Sequence, residues 1–183
     1  MGMMDRRVRI LDKTFEQTFS PEEIRKRVGE AAVAVSRNLR GKDPVFVCIL
    51  NGSFVFAADL LRSLDFPARV SFVKMASYCG TASTGRVDEL IGLSEDLEGK
   101  TVVIVEDIID TGLTMQRMLR LLAGYHPAEV HIAALFLKPG NLKVDLQVDY
   151  PLFCIPNDFI VGYGLDYEGY GRNLPGIYTL TNE

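Results

Sequence analysis

Residues 101–115 read Thr-Val-Val-Ile-Val-Glu-Asp-Ile-Ile-Asp-Thr-Gly-Leu-Thr-Met, and the reading of this stretch decides the fold. Its first five residues are β-branched and carry no polar group except the Thr101 hydroxyl, the pattern of a strand buried on both faces in a parallel sheet. Two acids follow, Glu106 and Asp107, then two apolar residues, then Asp110-Thr111-Gly112-Leu113-Thr114. Met115, Met118, Leu119 and Leu122 fall at helical spacing, and Gly124 is placed to end that helix. The stretch is therefore a strand, an acidic pair, a short glycine-containing loop and a helix.

Each part has chemistry to offer. A helix start presents unpaired N–H groups and the positive end of its dipole, which suits a phosphate. Gly112 allows close approach of the backbone, and Thr111 and Thr114 add hydroxyl donors. Adjacent carboxylates at the end of a strand accept hydrogen bonds from vicinal hydroxyls, as on a ribose. A sugar phosphate meets all three features at once. The same residues also serve an ordinary βα turn, because acids favour a helix start through capping and the dipole.

Outward from this stretch, strands and helices alternate. Residues 8–19 are mixed and read as an edge strand. Ser20-Pro21-Glu22-Glu23 opens a helix with Ser at the cap, Pro first and Glu at the third position, and Ile24, Val28, Ala31, Ala32, Val35 and Leu39 give it one apolar stripe. Val45 to Leu50 is a second apolar strand, turning at Asn51-Gly52-Ser53 into a helix that carries Phe54, Ala57, Ala58, Leu60, Leu61 and Leu64. Pro67 to Met75 is a third strand. Residues 76–88 are small and polar and keep no periodicity, so a mobile loop is expected there. Leu90 to Leu93, Val130 to Leu137, Leu152 to Ile155 and Ile177 to Leu180 complete the strands. Gly162-x-Gly164 lacks the third glycine and the following helix of a dinucleotide fingerprint. This alternation argues for a parallel sheet with helices on both faces, whose ligands bind outside the carboxyl ends of the strands. Asn51-Gly52, Glu106-Asp107, Asp110 to Thr114 and Lys138 all follow strand ends, so one sheet would set them along one rim.

Composition narrows the function classes. The chain has 183 residues, 48% hydrophobic and 24% charged, with a net charge of -4, so no nucleic-acid partner is implied. Cys48, Cys79 and Cys154 form no close pairs, which argues against a disulfide scaffold or a zinc site and fits a reducing, cytoplasmic setting. His126 and His131 share no metal-ligand spacing. No signal peptide is visible, no apolar run approaches the ~18 residues of a membrane span, and without a secretion signal the Asn51-Gly52-Ser53 sequon is empty.

The run of hydrophobic strand, two acids, two apolar residues and Asp-Thr-Gly-x-Thr resembles the phosphoribosyl pyrophosphate (PRPP) motif of type I phosphoribosyltransferases. The form Val-Glu-Asp-Ile-Ile-Asp-Thr-Gly at 105–112 is closest to the hypoxanthine-guanine members. A second match, Phe159-Ile160-Val161-Gly162-Tyr163-Gly164-Leu165-Asp166-Tyr167, is similar to their purine-site segment. The resemblance implies an α/β type I phosphoribosyltransferase fold: one domain over residues 1–183, a mostly parallel twisted sheet flanked by helices. A small hood would be formed by the N-terminal segment and residues from about 141 to 183.

It further implies a magnesium-dependent transfer of the 5-phosphoribosyl group from PRPP to a 6-oxopurine. In that picture Thr111, Gly112, Leu113 and Thr114 hold the 5′-phosphate, and Glu106 and Asp107 hold the ribose hydroxyls. Asp110 acts as general base or proton carrier at purine N7. Mg²⁺ associates with Glu106, Asp107 and Asp166. Asn51, Gly52 and Arg172 bind pyrophosphate, the Leu50–Asn51 peptide being cis in the family, although many members carry a basic residue where Asn51 stands. Lys138, Phe159, Ile160 and Asp166 contact the purine, Ser77 and Tyr78 belong to a flexible lid, and the assembly is a homodimer or homotetramer. Two rivals remain: a PRPP-sensing regulator, for which the chain has neither room nor charge for a DNA-binding segment, and a phosphatase, whose Asp-x-Asp spacing is absent.

Overall fold

The strand at the centre of the sequence is also at the centre of the fold. In the computed structural model it is β6, Thr101–Ile109, running through both acids and ending just before Asp110. The structure describes residues 6–79 and 86–181, and among them the side chains of all but 76–79 and 86–90. Residues 101–105 are buried, and their side chains alternate between two cores: Val103 and Val105 lie in one, Val102 and Ile104 in the other. β3, Val45–Ile49, lies parallel beside it and divides in the same way. Each fully buried Val or Ile contributes about 1.5–3 kcal/mol, so two adjacent strands enclosed on both faces form the stable floor of the molecule.

The remaining strands extend this floor. β4 (Arg69–Cys79) pairs parallel with β3, β7 (Glu129–Leu137) parallel with β6, and β8 (Tyr150–Cys154) parallel with β7. β5 (Arg86–Ile91) closes the other edge antiparallel to β4, giving the order β5-β4-β3-β6-β7-β8. α1 (Pro21–Leu39) and α2 (Phe54–Arg62) cover the Val103 face, and α3 (Leu113–Ala123) covers the Val102 face. α1 starts as its sequence dictates: the Glu23 amide donates to Ser20 Oγ at 3.2 Å and the Ser20 amide to Glu23 Oε2 at 2.8 Å. On α2 the buried stripe is Phe56, Ala57 and Leu60, while Phe54, expected inside, is 43% exposed. α3 ends at Gly124 with a right-handed φ of −69°, and His126, at φ 53°, takes the left-handed position.

Three expectations are corrected. Residues 8–19 form two strands, β1 (Arg7–Ile10) and β2 (Lys13–Phe19), joined at Leu11, whose φ is 53°. The stretch 76–88, read as a loop, extends β4 to Cys79 and starts β5 at Arg86, with Ser77 opposite Asp88 and Tyr78 opposite Val87. Main-chain pairing stabilises a strand without any apolar alternation, which is why periodicity missed it. Residues 80–85 of that stretch lie outside the described residues. Finally, β8 falls within the span assigned to the hood yet joins the large sheet. The small sheet is β1-β2-β10-β9, with β9 Ile160–Val161 and β10 Ile177–Leu180, around Ile10, Phe15, Val161 and Tyr178.

Candidate active site

The loop between β6 and α3 is shaped by Gly112. It adopts φ 76°, and a Cβ there would press on Val144 Cγ2 at 2.8 Å and Leu142 Cδ2 at 3.2 Å. The glycine thus meets two demands, a left-handed backbone and close packing of segment 142–146, which is also pinned by the Lys143 amide donating to the Thr111 carbonyl at 3.0 Å. Bonding within α3 begins where the Gln116 amide donates to the Gly112 carbonyl at 2.9 Å, so the first-turn N–H groups have no intrahelical acceptor. Beside them is a cavity of about 100 Å³ whose walls include Glu106, Asp110, Thr111, Gly112 and Thr114. That volume equals a few water molecules and suits one tetrahedral oxyanion. Leu113 is not part of its wall and is 44% exposed.

The acidic pair is held in an unusual state. Glu106 Oε2 is out of reach of solvent and has no hydrogen-bond partner. Burial, and then the neighbouring Asp107 charge, hold its carboxyl well above the ordinary range. Burial also raises Asp107, against the lowering effect of the Ile108 amide, which donates to Oδ1 at 2.9 Å, and of Arg172. A Cβ at Gly52 would overlap the Asp107 carboxylate, and one at Gly164 would overlap the Gly52 carbonyl. These absent methyls bring three segments together: the loop after β3, the end of β6 and the loop after β9. Gly162 is likewise required, since a Cβ there would overlap the Gly176 carbonyl. The Gly-x-Gly of the sequence is a packing device.

A second cluster surrounds Lys138, whose side chain is only 8% exposed. Its ammonium donates to Asp110 Oδ2 at 3.1 Å and to Asn157 Oδ1 at 3.4 Å. Asn141 Nδ2 donates to the other oxygen, Asp110 Oδ1, at 2.9 Å. Asn141 foremost, and then Lys138, hold the Asp110 carboxyl below its ordinary value.

On the small-sheet side, Phe159 is 45% exposed, with the rings of Tyr167 and Phe15 at 5.9 and 6.2 Å and Lys13 Nζ 5.6 Å from its centre. Ile160 is buried next to it. Arg172 donates to the Gly164 carbonyl at 2.7 Å and pairs with Asp166 at 2.6 Å, while the Gly169 amide donates to Asp166 Oδ2 at 2.7 Å. Asp166 is therefore already engaged, and among the described residues no three His, Cys, Asp or Glu side chains converge into a metal cage. Asn51 is exposed, and the Leu50–Asn51 peptide is cis, the geometry the resemblance carried. Ser77 and Tyr78 lie on β4, and their side chains fall outside the description.

The structure thus gathers Glu106, Asp110, Thr111, Gly112 and Thr114 at one cavity, ties Asp107 to Gly52, and links Lys138 to Asp110. Sequence reasoning missed Asn141 and Asn157. Asn141 closes the 3-10 turn that follows β7, and nothing local in the sequence says which carboxylate its side chain would face.

A family model, the phosphoribosyl transferase domain, matches residues 17–168. The hypoxanthine-guanine phosphoribosyltransferase of Streptococcus thermophilus (strain CNRZ 1066) is 38% identical over 166 residues, covering 90% of this chain and 92% of that one. The hypoxanthine-guanine-xanthine phosphoribosyltransferase of Tritrichomonas foetus is 38% identical over 179 residues, 97% of this chain and 94% of that one. The crystal structure of a hypoxanthine-guanine phosphoribosyltransferase from Bacillus anthracis superposes with a TM-score of 0.81 at 36% identity, covering 90% of this chain and 96% of that one. With the motif, the sheet order and these likenesses agreeing over most of its length, the chain belongs to the hypoxanthine-guanine phosphoribosyltransferase family.

Proposed function

We propose that this protein salvages purines, transferring the 5-phosphoribosyl group of PRPP to N9 of hypoxanthine or guanine and releasing pyrophosphate with IMP or GMP. One observation carries the reading: the oxyanion-sized cavity at the start of α3 is walled by Glu106, Asp110, Thr111, Gly112 and Thr114, and the same Glu106 carries a buried oxygen with no hydrogen-bond partner. A ribose 5-phosphate joins a phosphate to vicinal hydroxyls, and those hydroxyls would supply donors to the Glu106 carboxyl. Thr111 to Thr114 take the 5′-phosphate, the Leu113 contribution being its amide. Glu106 and Asp107 take the ribose hydroxyls, and Asn51, Gly52 and Arg172 take the pyrophosphate. Ribosyl transfer passes through a cation-like state, so positioning and fixed charge supply most of the rate.

The Lys138–Asp110 pair gives the purine its reading head. Phe159 stacks on the ring and Ile160 lines its edge. Lys138, giving up Asp110, donates to O6, which hypoxanthine and guanine possess and adenine lacks. Asp110 then loses one of the donors that keep its proton affinity low, and its freed oxygen accepts the proton at N7.

The donor set fits Mg²⁺, a hard cation that keeps several waters and substrate oxygens and needs few protein carboxylates. Glu106 and Asp107, with Asp166 once Arg172 turns to pyrophosphate, would hold it, and it would neutralise phosphate charge. The reading includes a single domain over residues 1–183 with the small sheet as hood, and Ser77 and Tyr78 on the β4–β5 hairpin as part of a lid. It also includes a cytoplasmic homodimer or homotetramer without nucleic-acid partners. Exposed Phe54, Val70 and Phe72 support the assembly, and no helix among the described residues is long and apolar enough to cross a membrane. The test is incubation with PRPP and Mg²⁺ plus hypoxanthine, guanine, xanthine or adenine, following nucleotide and pyrophosphate. Product from the first two bases is expected. No product, or adenine as the best base, overturns the reading.

A further inference from the structure

Both oxygens of Asp110 are occupied in the free protein, by different kinds of partner. Lys138 holds Oδ2 at 3.1 Å through the ammonium at the end of a long side chain, and the proposed purine contact requires this ammonium to leave. Asn141 holds Oδ1 at 2.9 Å from a short side chain on a 3-10 turn whose backbone is itself fixed, its amide donating to the Lys138 carbonyl at 3.0 Å. The two grips therefore behave differently on base binding: one is exchanged and the other stays.

We propose that Asn141 is a positioning residue, fixing Asp110 by Oδ1 so that Oδ2 is the oxygen presented to purine N7 when Lys138 turns to O6. Asn141 acts only through Asp110. Without it the carboxylate, 45% exposed, rotates about its Cβ–Cγ bond and faces N7 for a fraction of the time. The amide is also the largest single cause that holds the Asp110 carboxyl below its ordinary value before base binding. The inference rests on the proposed transferase reaction and adds a residue that the motif resemblance does not name.

The experiment is a double-mutant cycle of Asn141→Ala and Asp110→Ala, measured as kcat and KM with PRPP and hypoxanthine, using single-turnover rates for the slow variants. Asn141→Ala is expected to lower kcat about tenfold, the scale of one charge-assisted hydrogen bond, and to leave KM for PRPP unchanged. In the Asp110→Ala background the same substitution should change nothing further. Asn141→Asp keeps the shape but loses the donor, and should lose at least as much as Ala. An unchanged kcat in Asn141→Ala, an equal loss in both backgrounds, or full activity in Asn141→Asp overturns the inference while leaving the transferase reading intact. A wild-type protein that forms no nucleotide overturns both.

Discussion

Replacing Lys138 by Met isolates the ammonium from the rest of the side chain. The stem is packed, with only 8% of the side chain exposed, so Ala would add a cavity to the lost charge, whereas Met preserves most of the volume. In the free protein the substitution removes an ammonium held at 3.1 Å from Asp110 and 3.4 Å from Asn157. The cost to the fold should be small, because a desolvated cation is removed and Asp110 remains 45% exposed to water. The cost to the reaction is a charge-assisted hydrogen bond to O6, about 1.5–3 kcal/mol, or roughly tenfold to 150-fold in kcat/KM for hypoxanthine and guanine. Adenine, whose 6-amino group cannot accept that bond, should lose nothing. The assay is nucleotide formation with each base in turn, with melting curves to confirm folding. An equal fall for hypoxanthine and adenine would show that Lys138 supports the site without reading the base.

Three further outcomes are expected. Asp110→Asn should lower kcat by about 10²–10⁴-fold, the usual size of acid–base assistance, and an unchanged kcat removes Asp110 from the proton transfer. Gly112→Ala forces a methyl into the Val144 and Leu142 contacts at a backbone φ of 76°, and should cost about 1–3 kcal/mol by denaturant unfolding while raising KM for PRPP; a neutral result refutes the packing argument. Far from the site, Lys42 Nζ and Thr101 Oγ1 each donate to Glu129 Oε1 at 2.8 Å, with Lys42 the larger cause, holding that carboxyl at about 2 against an ordinary 4.5. A depressed folded-state value adds stability that is complete above 4.5 and is lost as pH falls toward 2, so Glu129→Gln should be less stable than wild type at neutral pH and the gap should close across that window. A gap that is constant with pH refutes the assignment.

The parts of the site that the sequence revealed are those carried by one continuous segment. The β6–α3 unit holds its strand, acids, turn and helix start within 15 residues, so hydrophobic run, glycine and hydroxyls could be read directly. The capping box at Ser20 was legible for the same reason. What escaped was set by contacts between distant segments. The hairpin arms of β4 and β5 depend on main-chain pairing, which leaves no side-chain period to read. Asn141 reaches back 31 positions to Asp110, and its role follows from where β7 ends relative to β6. Gly164 is required by the carbonyl of Gly52, in a loop more than a hundred residues earlier. The resemblance assigned residues from about 141 onward to a hood, whereas β8 pairs parallel with β7 at the edge of the large sheet, a contact between segments that no local pattern announces.

The acidic end of β6 bears most directly on function. A fold selected for stability alone would not place Glu106 Oε2 out of solvent without a partner, beside a second carboxylate that burial also disfavours as an anion. Each such group costs the free protein, and neighbouring residues do little to relieve it: the Ile108 amide and Arg172 favour charge on Asp107, while Asp166 opposes it. Gly52, which admits the Asp107 carboxylate where any other residue would exclude it, shows that the crowding is built into the loop geometry. Under the proposed function, hydroxyl donors and a cation would relieve this cost, and a ribose with Mg²⁺ would supply both. Under that proposal the instability of the acidic pair in the free protein would become binding energy for the sugar. Glu106→Gln, uncharged and able to donate, should therefore raise the melting temperature while weakening PRPP binding. A variant that melts no higher would show that Glu106 is already satisfied without ligand.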